Sequence, residues 1–306
     1  MESPAGTAGR QDRALAKSQA ALADMLQPGQ SLELLKALHI LTQDGQINQD
    51  SRRKLKQVLH LAQFIAPLLS QPHADAGLTL VDHGAGKAYL GFILYDIYLK
   101  HRPDARVVGV EHRPELVARA RQLAQSLGFD RMEFLDLTVA QATAHPSLPE
   151  RVDVVTALHA CDTATDDAID FGLAKQARAM VLVPCCQAEV ARVLNQHKAL
   201  ALARTPLAEL WRHPLHTREL GSQLTNVMRC LYLEACGYQV TVTELVGWEH
   251  SLKNELILAR YTGQRKRSAA QRLWALLREF GLTSLQATRF VHLPENSASD
   301  SPESLP

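Results

Sequence analysis

The sequence predicts an α/β fold with a mainly parallel sheet and a helical region in front of it. Three observations carry this expectation. From residue 78 onward, short apolar runs alternate with segments of helical period. A glycine-rich turn separates the first run from the first helix. Acids sit at or near the ends of the first three runs, as Asp82, Glu111 and Asp136. Apolar strands that alternate with helices imply strands paired in parallel and covered on both faces.

Residues 1–12 are rich in Gly, Ser, Pro and charge, the composition of a disordered segment. Residues 13–74 read as an N-terminal helical region. Its clearest part is Ser51–Ser70, where Leu55, Val58, Leu59, Ala62, Ile65, Ala66 and Leu69 share one face. Ser51 is placed to cap this helix. Arg52, Arg53, Lys54 and Lys56 then fall in its first turn, where cations oppose the helix dipole. Two readings stand: a solvated face, or a seat for an anionic partner such as RNA.

Residues 75–263 carry the sheet. Strands are expected at Leu78–His83, Val107–Glu111, Met132–Leu137, Val152–Leu158 and Ala179–Val183. Helices are expected at Tyr89–Lys100, Pro114–Leu127, Asp166–Ala174 and 222–235. Pro114 suits a first helical turn, and Gly128 suits a helix end. Tyr238–Leu245 and Leu256–Tyr261 read as a final antiparallel pair. Residues 264–293 read as C-terminal helices, at Arg265–Phe280 and Leu282–Phe290. The tail 294–306 again has a disordered composition.

The 306 residues are 46% hydrophobic, enough for a full α/β core with an appendage. Lys and Arg number 33 against 32 Asp and Glu, a net charge of +1. That balance excludes binding to nucleic acid through bulk charge, but leaves room for a local basic patch. The start, Met1-Glu2-Ser3-Pro4-Ala5-Gly6, has no cationic segment leading into an apolar one, and no apolar run has membrane-spanning length. The five cysteines, an odd number, suggest reduced thiols in a cytoplasmic protein.

The principal motif is Val81-Asp82-His83-Gly84-Ala85-Gly86-Lys87-Ala88-Tyr89-Leu90. Glycine allows a sharp turn and close approach of a ligand to the backbone. The following helix start offers unpaired N–H groups. Position 89 is Tyr, so the third glycine of a dinucleotide fingerprint is missing. Glu111 at the next strand end can accept both hydroxyls of a ribose. Asp136, one strand further, is placed to accept from an adenine amino group.

The run Gly84–Leu90 resembles the cofactor loop of class I methyltransferases. The resemblance continues at His159-Ala160-Cys161-Asp162-Thr163-Ala164-Thr165-Asp166 and at Pro184-Cys185-Cys186. These blocks are similar to those of uncharacterised bacterial methyltransferase-domain proteins and of eukaryotic 2′-O-ribose tRNA methyltransferases that modify the acceptor stem. Position 162 is Asp where those tRNA enzymes tend to have Gly. The resemblance covers residues 78–260 and implies a Rossmann-like, seven-stranded, mostly parallel sheet with S-adenosyl-L-methionine as cofactor. The implied cofactor-binding residues are Asp82, Gly84, Ala85, Gly86, Lys87, Tyr89, Leu90, Glu111, His112, Asp136, Leu137 and Leu158.

Methyl transfer from a sulfonium is an in-line displacement, so the enzyme chiefly aligns the nucleophile and excludes water. Candidates for the chemistry are His159, Cys161, Asp162 and Asp166, after the fourth strand. His159 would line the cofactor's methionine side or serve as a hydrogen-bonded structural residue. Asp162 or Asp166 would orient substrate, or Asp166 would cap a helix. His159, Cys161, Cys185 and Cys186 are zinc-ligand types. Adjacent strand cysteines point opposite ways, however, and no Cys-x-x-Cys is present, so no metal is expected.

Further along, His213-Pro214-Leu215-His216-Thr217-Arg218 reads as a polar loop, either a lid or an ordinary surface turn. Lys253 lies between the last two strands, where it either meets a phosphate or belongs to a turn. With Arg52, Arg53, Lys54, Lys56, Arg265, Lys266 and Arg267 it supplies candidate RNA contacts. The leading expectation is methylation of a tRNA or rRNA. The alternatives are a protein or small-molecule substrate, or a cofactor-binding protein without catalysis.

Overall fold

The computed structural model describes residues 22, 25–70, 77–185, 187–196, 205–245 and 254–293. The expected disordered ends, Cys186 and Lys253 lie outside the described residues. By internal contacts the chain divides into two units, Met1–Thr138 with Leu245–Leu252, and Val139–Glu244 with Lys253–Pro306.

In the first unit, α1 (Leu32–Ala37) is capped by Ser31, whose Oγ accepts from the Leu34 N–H at 3.1 Å. α2 spans Gln49–Ile65 and buries Leu55, Val58, Leu59, Ala62 and Ile65. Its cap is Asn48, whose side chain accepts from the Ser51 N–H at 2.8 Å; Ser51 is not the cap. The helix therefore starts earlier than expected, and its first turn holds Asp50 rather than a cluster of cations. Arg53 pairs with Asp50 at 3.5 Å, an exposed contact of small energetic weight. Residues Ala66–Ser70 wind on as a 3-10 turn.

β1 (Leu78–His83), β2 (Ala105–Glu111) and β3 (Met132–Asp136) pair in parallel, with Asp82 opposite Gly109 and Glu111 opposite Asp136. The helix expected over Tyr89–Lys100 is α3 (Tyr89–Leu94) followed by a π turn over Tyr95–Leu99. Asp96, within that turn, accepts from the Ser31 N–H at 2.8 Å and from Lys100 at 3.0 Å, tying α1 down. α4 (Pro114–Ser126) ends before Gly128 in a left-handed conformation, as its sequence suggests. Phe92, Phe129, Phe134 and Tyr95 pack together beneath these helices.

The second unit opens with α5 (Val139–Ala144). β4 (Val154–Leu158) and β5 (Ala179–Val183) are parallel, joined by α6 (Ala164–Ala174). After α7 (Glu189–Gln196) and a 3-10 turn at Pro206–Trp211 comes α8, Pro214–Ala235. It is longer than the expected 222–235. His213 is its N-cap and Pro214 its first residue, so the segment read as a loop is the first turn of a helix. β6 (Tyr238–Glu244) and β7 (Glu255–Tyr261) are antiparallel, and β7 is antiparallel to β5. α9 (Arg267–Glu279) and α10 (Gln286–Arg289) close the described chain.

The seven strands run in the order β3-β2-β1-β4-β5-β7-β6. That order, with a reversed β7 between β5 and β6, is the Rossmann-like, seven-stranded, mostly parallel sheet that the sequence implies. No helix among the described residues is long and apolar enough to cross a membrane.

Candidate functional site

In the first unit the loop from Gly84 to Ala88 alternates in handedness. Gly84, Gly86 and Ala88 have φ of 61°, 59° and 56°, while Ala85 and Lys87 stay on the ordinary side. N–H groups of the loop are taken up within the protein: Ala85 donates to the Val110 carbonyl at 3.1 Å, Gly86 to Glu111 Oε2 at 2.8 Å and Ala88 to the Ala85 carbonyl at 2.7 Å. A Cβ on Gly86 would meet Arg113 Nη2 and the Gly84 carbonyl at 3.8 Å, ordinary van der Waals contact, so a methyl fits there without a clash. Leu90 and Ala88 are buried beneath the loop, and Ala85 is half-buried.

Glu111 ends β2 with its side chain 4% exposed. Its Oε2 accepts from the Gly86 N–H at 2.8 Å and from Arg113 Nη2 at 3.0 Å. Its Oε1 accepts from Arg113 Nε at 2.9 Å and from the N–H groups of His112 and Arg113. Burial works to raise the carboxyl's pKa, but the Arg113 guanidinium and the Gly86 N–H outweigh it and hold it below the ordinary range. The loop and the acid expected to grip an adenosine are thus joined by a direct hydrogen bond. Asp136 stands exposed opposite Glu111, and Leu137 N–H donates to the Glu111 carbonyl at 3.3 Å.

Asp82 is 3% exposed, with Oδ2 3.7 Å from where a Cβ on Gly91 would lie. It sits under the first turn of α3, where a carboxylate complements the helix start. His83 is buried, and burial lowers its pKa to about 3, so it is a neutral imidazole at ordinary pH.

Lys87 and Tyr89 line a cavity of about 430 Å³ together with Leu38, His39, Phe92, Leu116, Arg119 and Leu123. No Asp or Glu is among its described lining residues. His39, at the lip, holds a left-handed φ of 55°.

In the second unit β4 hands over to a segment with two left-handed residues, His159 (φ 57°) and Asp162 (φ 51°). His159 is exposed, and its N–H donates to the Val183 carbonyl at 3.0 Å. Leu158 is half-buried at the end of β4. Cys161 is exposed, with Sγ 3.4 Å from Cys185 Sγ. Asp162 Oδ1 accepts from the N–H groups of Ala188 and Glu189 at 2.9 and 3.2 Å, capping the start of α7.

Asp166 is not a cap, since α6 starts from Thr163. Both its oxygens are taken by Arg229, which is 1% exposed and also donates to the Asp162 carbonyl and to Asn226. Asn226 in turn bonds Gln187 and Glu255, and Gln187 accepts from Ser222. Sequence reasoning missed this buried network. Its signal was present as Ser222, Asn226 and Arg229, polar residues at spacings of four and three on an apolar helix. Among the described residues no group of three or more His, Cys, Asp or Glu is placed to hold a metal.

Arg52 is half-buried on α2, and Arg53, Lys54 and Lys56 are exposed. In the second unit Arg265, Lys266 and Arg267 are exposed, and Lys266 pairs with Glu234 at 2.7 Å.

Residues 53–193 match the family described as "Methyltransferase domain". Over that stretch, just under half of the 306 residues, the chain is similar to that family. The match takes in every candidate from Asp82 to Asp166. The Gly86 turn and the buried Glu111 carboxylate fit the adenosine chemistry of S-adenosyl-L-methionine, the methyl donor the sequence implies.

Sequence relatives are the "Glutathione S-transferase C-terminal domain-containing protein" of Homo sapiens, 23% identical over 70% of this chain, and of Xenopus laevis, 25% identical over 67%. The chain spans about a third of their length, 34% in each case. Solved structures with a similar trace include the S-adenosylhomocysteine-bound methyltransferase PaMTH1 of Podospora anserina. It is 13% identical, covers 86% of this chain and 98% of its own, and has a TM-score of 0.45. Magnesium protoporphyrin IX methyltransferase from Synechocystis PCC 6803 is 15% identical, covers 75% and 93%, and scores 0.42. At these scores neither likeness bears on substrate.

Proposed function

We propose that the chain transfers a methyl group from S-adenosyl-L-methionine to a structured RNA, a tRNA or rRNA, at a ribose or base. The donor supplies an electrophilic methyl on a sulfonium. Gly84–Gly86 and Glu111 hold its adenosine end, with Asp136 toward the adenine. His159 and Cys161, exposed where β4 ends, face the substrate. Asp162 and Asp166 hold their segment in place through α7 and Arg229, so both are positioning residues.

The observation that carries the substrate class is the cavity beside the cofactor loop. Its rim carries Lys87 and Arg119 with no carboxylate among the described lining residues. A small-molecule enzyme working on apolar substrates would favour a cleft without cations. Here a phosphate suits Lys87 and Arg119, and an unstacked base suits the half-buried Tyr89. Exposed Lys54 and Lys56 supply further phosphate contacts on α2. An odd set of cysteines supports a cytoplasmic location.

The test is transfer of radiolabelled methyl from S-adenosyl-L-methionine to total RNA, total protein and small metabolites from a strain lacking the gene. Label in RNA, lost in Lys87→Glu with Arg119→Glu while S-adenosylhomocysteine affinity persists, supports the reading. Label in protein or metabolites alone overturns it.

A further inference from the structure

The loops leaving β4 and β5 bring two thiols together. Leu158 lies opposite Val183 in the parallel ladder, so the chains leave the sheet side by side. The left-handed His159 then turns the backbone, and Cys161 Sγ comes to lie 3.5 Å from the His159 carbonyl and 3.4 Å from Cys185 Sγ. Asp162 pins the same segment to the N–H groups of Ala188 and Glu189, just past Cys185. The sulfurs are held in van der Waals contact from both sides. A disulfide needs them about 2.05 Å apart. Closing the gap takes a displacement of roughly 1.4 Å, within reach of side-chain rotation.

We propose that Cys161 and Cys185 are a modification site, oxidised by hydroperoxides to a disulfide. Cys161 is exposed and Cys185 is more buried, the arrangement of an attacking and a resolving thiol. The Cys161 thiolate attacks one peroxide oxygen. The O–O bond breaks, one oxygen leaves as water, and a sulfenic acid forms on Cys161. The Cys185 thiolate then attacks that sulfur, forming the S–S bond. The S–O bond breaks, and hydroxide leaves to take up a proton. Two thiols lose two electrons, and hydrogen peroxide is reduced to two waters. A small dithiol reverses the reaction by exchange. Closure pulls Cys161 away from the His159 carbonyl and shifts the segment carrying His159 and Asp162. The disulfide therefore slows methyl transfer, a consequence that rests on the function proposed above.

The test treats the full chain with equimolar hydrogen peroxide, blocks remaining thiols, digests without reduction and maps cross-linked peptides. The expected result is a peptide pair joined through Cys161 and Cys185 and released by a dithiol. It is absent in Cys161→Ser and in Cys185→Ser, whose melting temperatures show that they fold, and retained in Cys186→Ser. A Cys185–Cys186 link, over-oxidation of Cys161 without a link, or two thiols that still titrate would each overturn the site. A mapped link with an unchanged methyl-transfer rate overturns the effect on activity. Failure of the reduced protein to methylate RNA counts against the proposed function and leaves the mapping result standing.

Discussion

Arg229 grips Asp166 with both ends of its guanidinium fork, Nε to Oδ1 at 2.8 Å and Nη2 to Oδ2 at 2.6 Å, and the pair is shut away from solvent. The same Nη2 reaches the Asp162 carbonyl at 2.9 Å. A helix that lies far along the chain thus fixes the segment after β4. A buried charge without its partner is costly, more so than the pair is favourable. Asp166→Ala should therefore lower unfolding free energy by about 3–5 kcal/mol, measured by denaturant titration. Asp166→Leu with Arg229→Met should recover part of that loss. A stable Asp166→Ala protein with slow methyl transfer would instead place Asp166 at the substrate.

Glu111 can serve the ribose-binding role proposed for it only as a carboxylate, and Arg113 keeps it one. Its folded pKa lies below the unfolded value, so its charge persists as pH falls through the ordinary carboxylate range near 4.5. S-adenosylhomocysteine affinity should accordingly hold between pH 7 and about 5 in the wild type. In Arg113→Met the carboxyl loses its main counter-charge, and affinity should begin to fall at a higher pH. Glu111→Ala should weaken binding about 10- to 100-fold at pH 7. Calorimetric titration across pH separates these outcomes. Identical pH profiles for wild type and Arg113→Met would refute the role given to Arg113.

Much of this arrangement could be read from the sequence. Ala179–Val183 is an uninterrupted apolar run and Leu78–His83 is built on Leu78, Leu80 and Val81, and the boundaries of both strands match the structure residue for residue. The Gly84–Gly86 turn and Glu111 belong to adjacent strands, so local order alone brings them near each other. What was not legible depends on choices between neighbours of similar chemistry. Asn48 and Ser51 can both cap a helix, and the structure uses Asn48. Polar residues from His213 to Arg218 hide a helix start that Pro214 alone betrays. The Asp166–Arg229 pair spans 63 residues. No spacing rule reaches that far, so Asp166 could be read only as a cap or a substrate ligand.

Gly86 separates space from conformation. A Cβ there meets only Arg113 Nη2 and the Gly84 carbonyl, both at 3.8 Å, so Gly86→Ala does not clash. The φ of 59° costs an L-residue about 1 kcal/mol. Gly86→Ala should therefore fold with a small loss of melting temperature. Gly86→Arg should also fold, but its side chain fills the space over the loop, and cofactor affinity should vanish. Retained affinity in Gly86→Arg would move the cofactor elsewhere.

Two groups, buried His83 and half-buried Asp170, push stability in opposite directions with pH. His83 is held neutral, its pKa lowered by burial to about 3. Between that value and the unfolded value near 6.5, the unfolded chain carries the extra proton, so this group's contribution rises with pH. Asp170 behaves inversely. Burial first, then the charges of Asp166 and Asp167, raise its pKa to about 7 against the Tyr232 hydrogen bond that lowers it. Between the unfolded value near 3.8 and 7 the folded chain carries the extra proton, so this contribution falls as pH rises. The two slopes overlap from about pH 4 to 6.5 and largely cancel, each being worth up to about 1.4 kcal/mol per pH unit. His83→Gln should leave a protein that loses stability as pH rises through that window. Asp170→Asn should leave one that gains it, and should be the more stable of the two at pH 8. Denaturant titrations of both variants at pH 4.5, 5.5 and 6.5 test this directly, and slopes of the same sign would show that one of the two groups titrates normally.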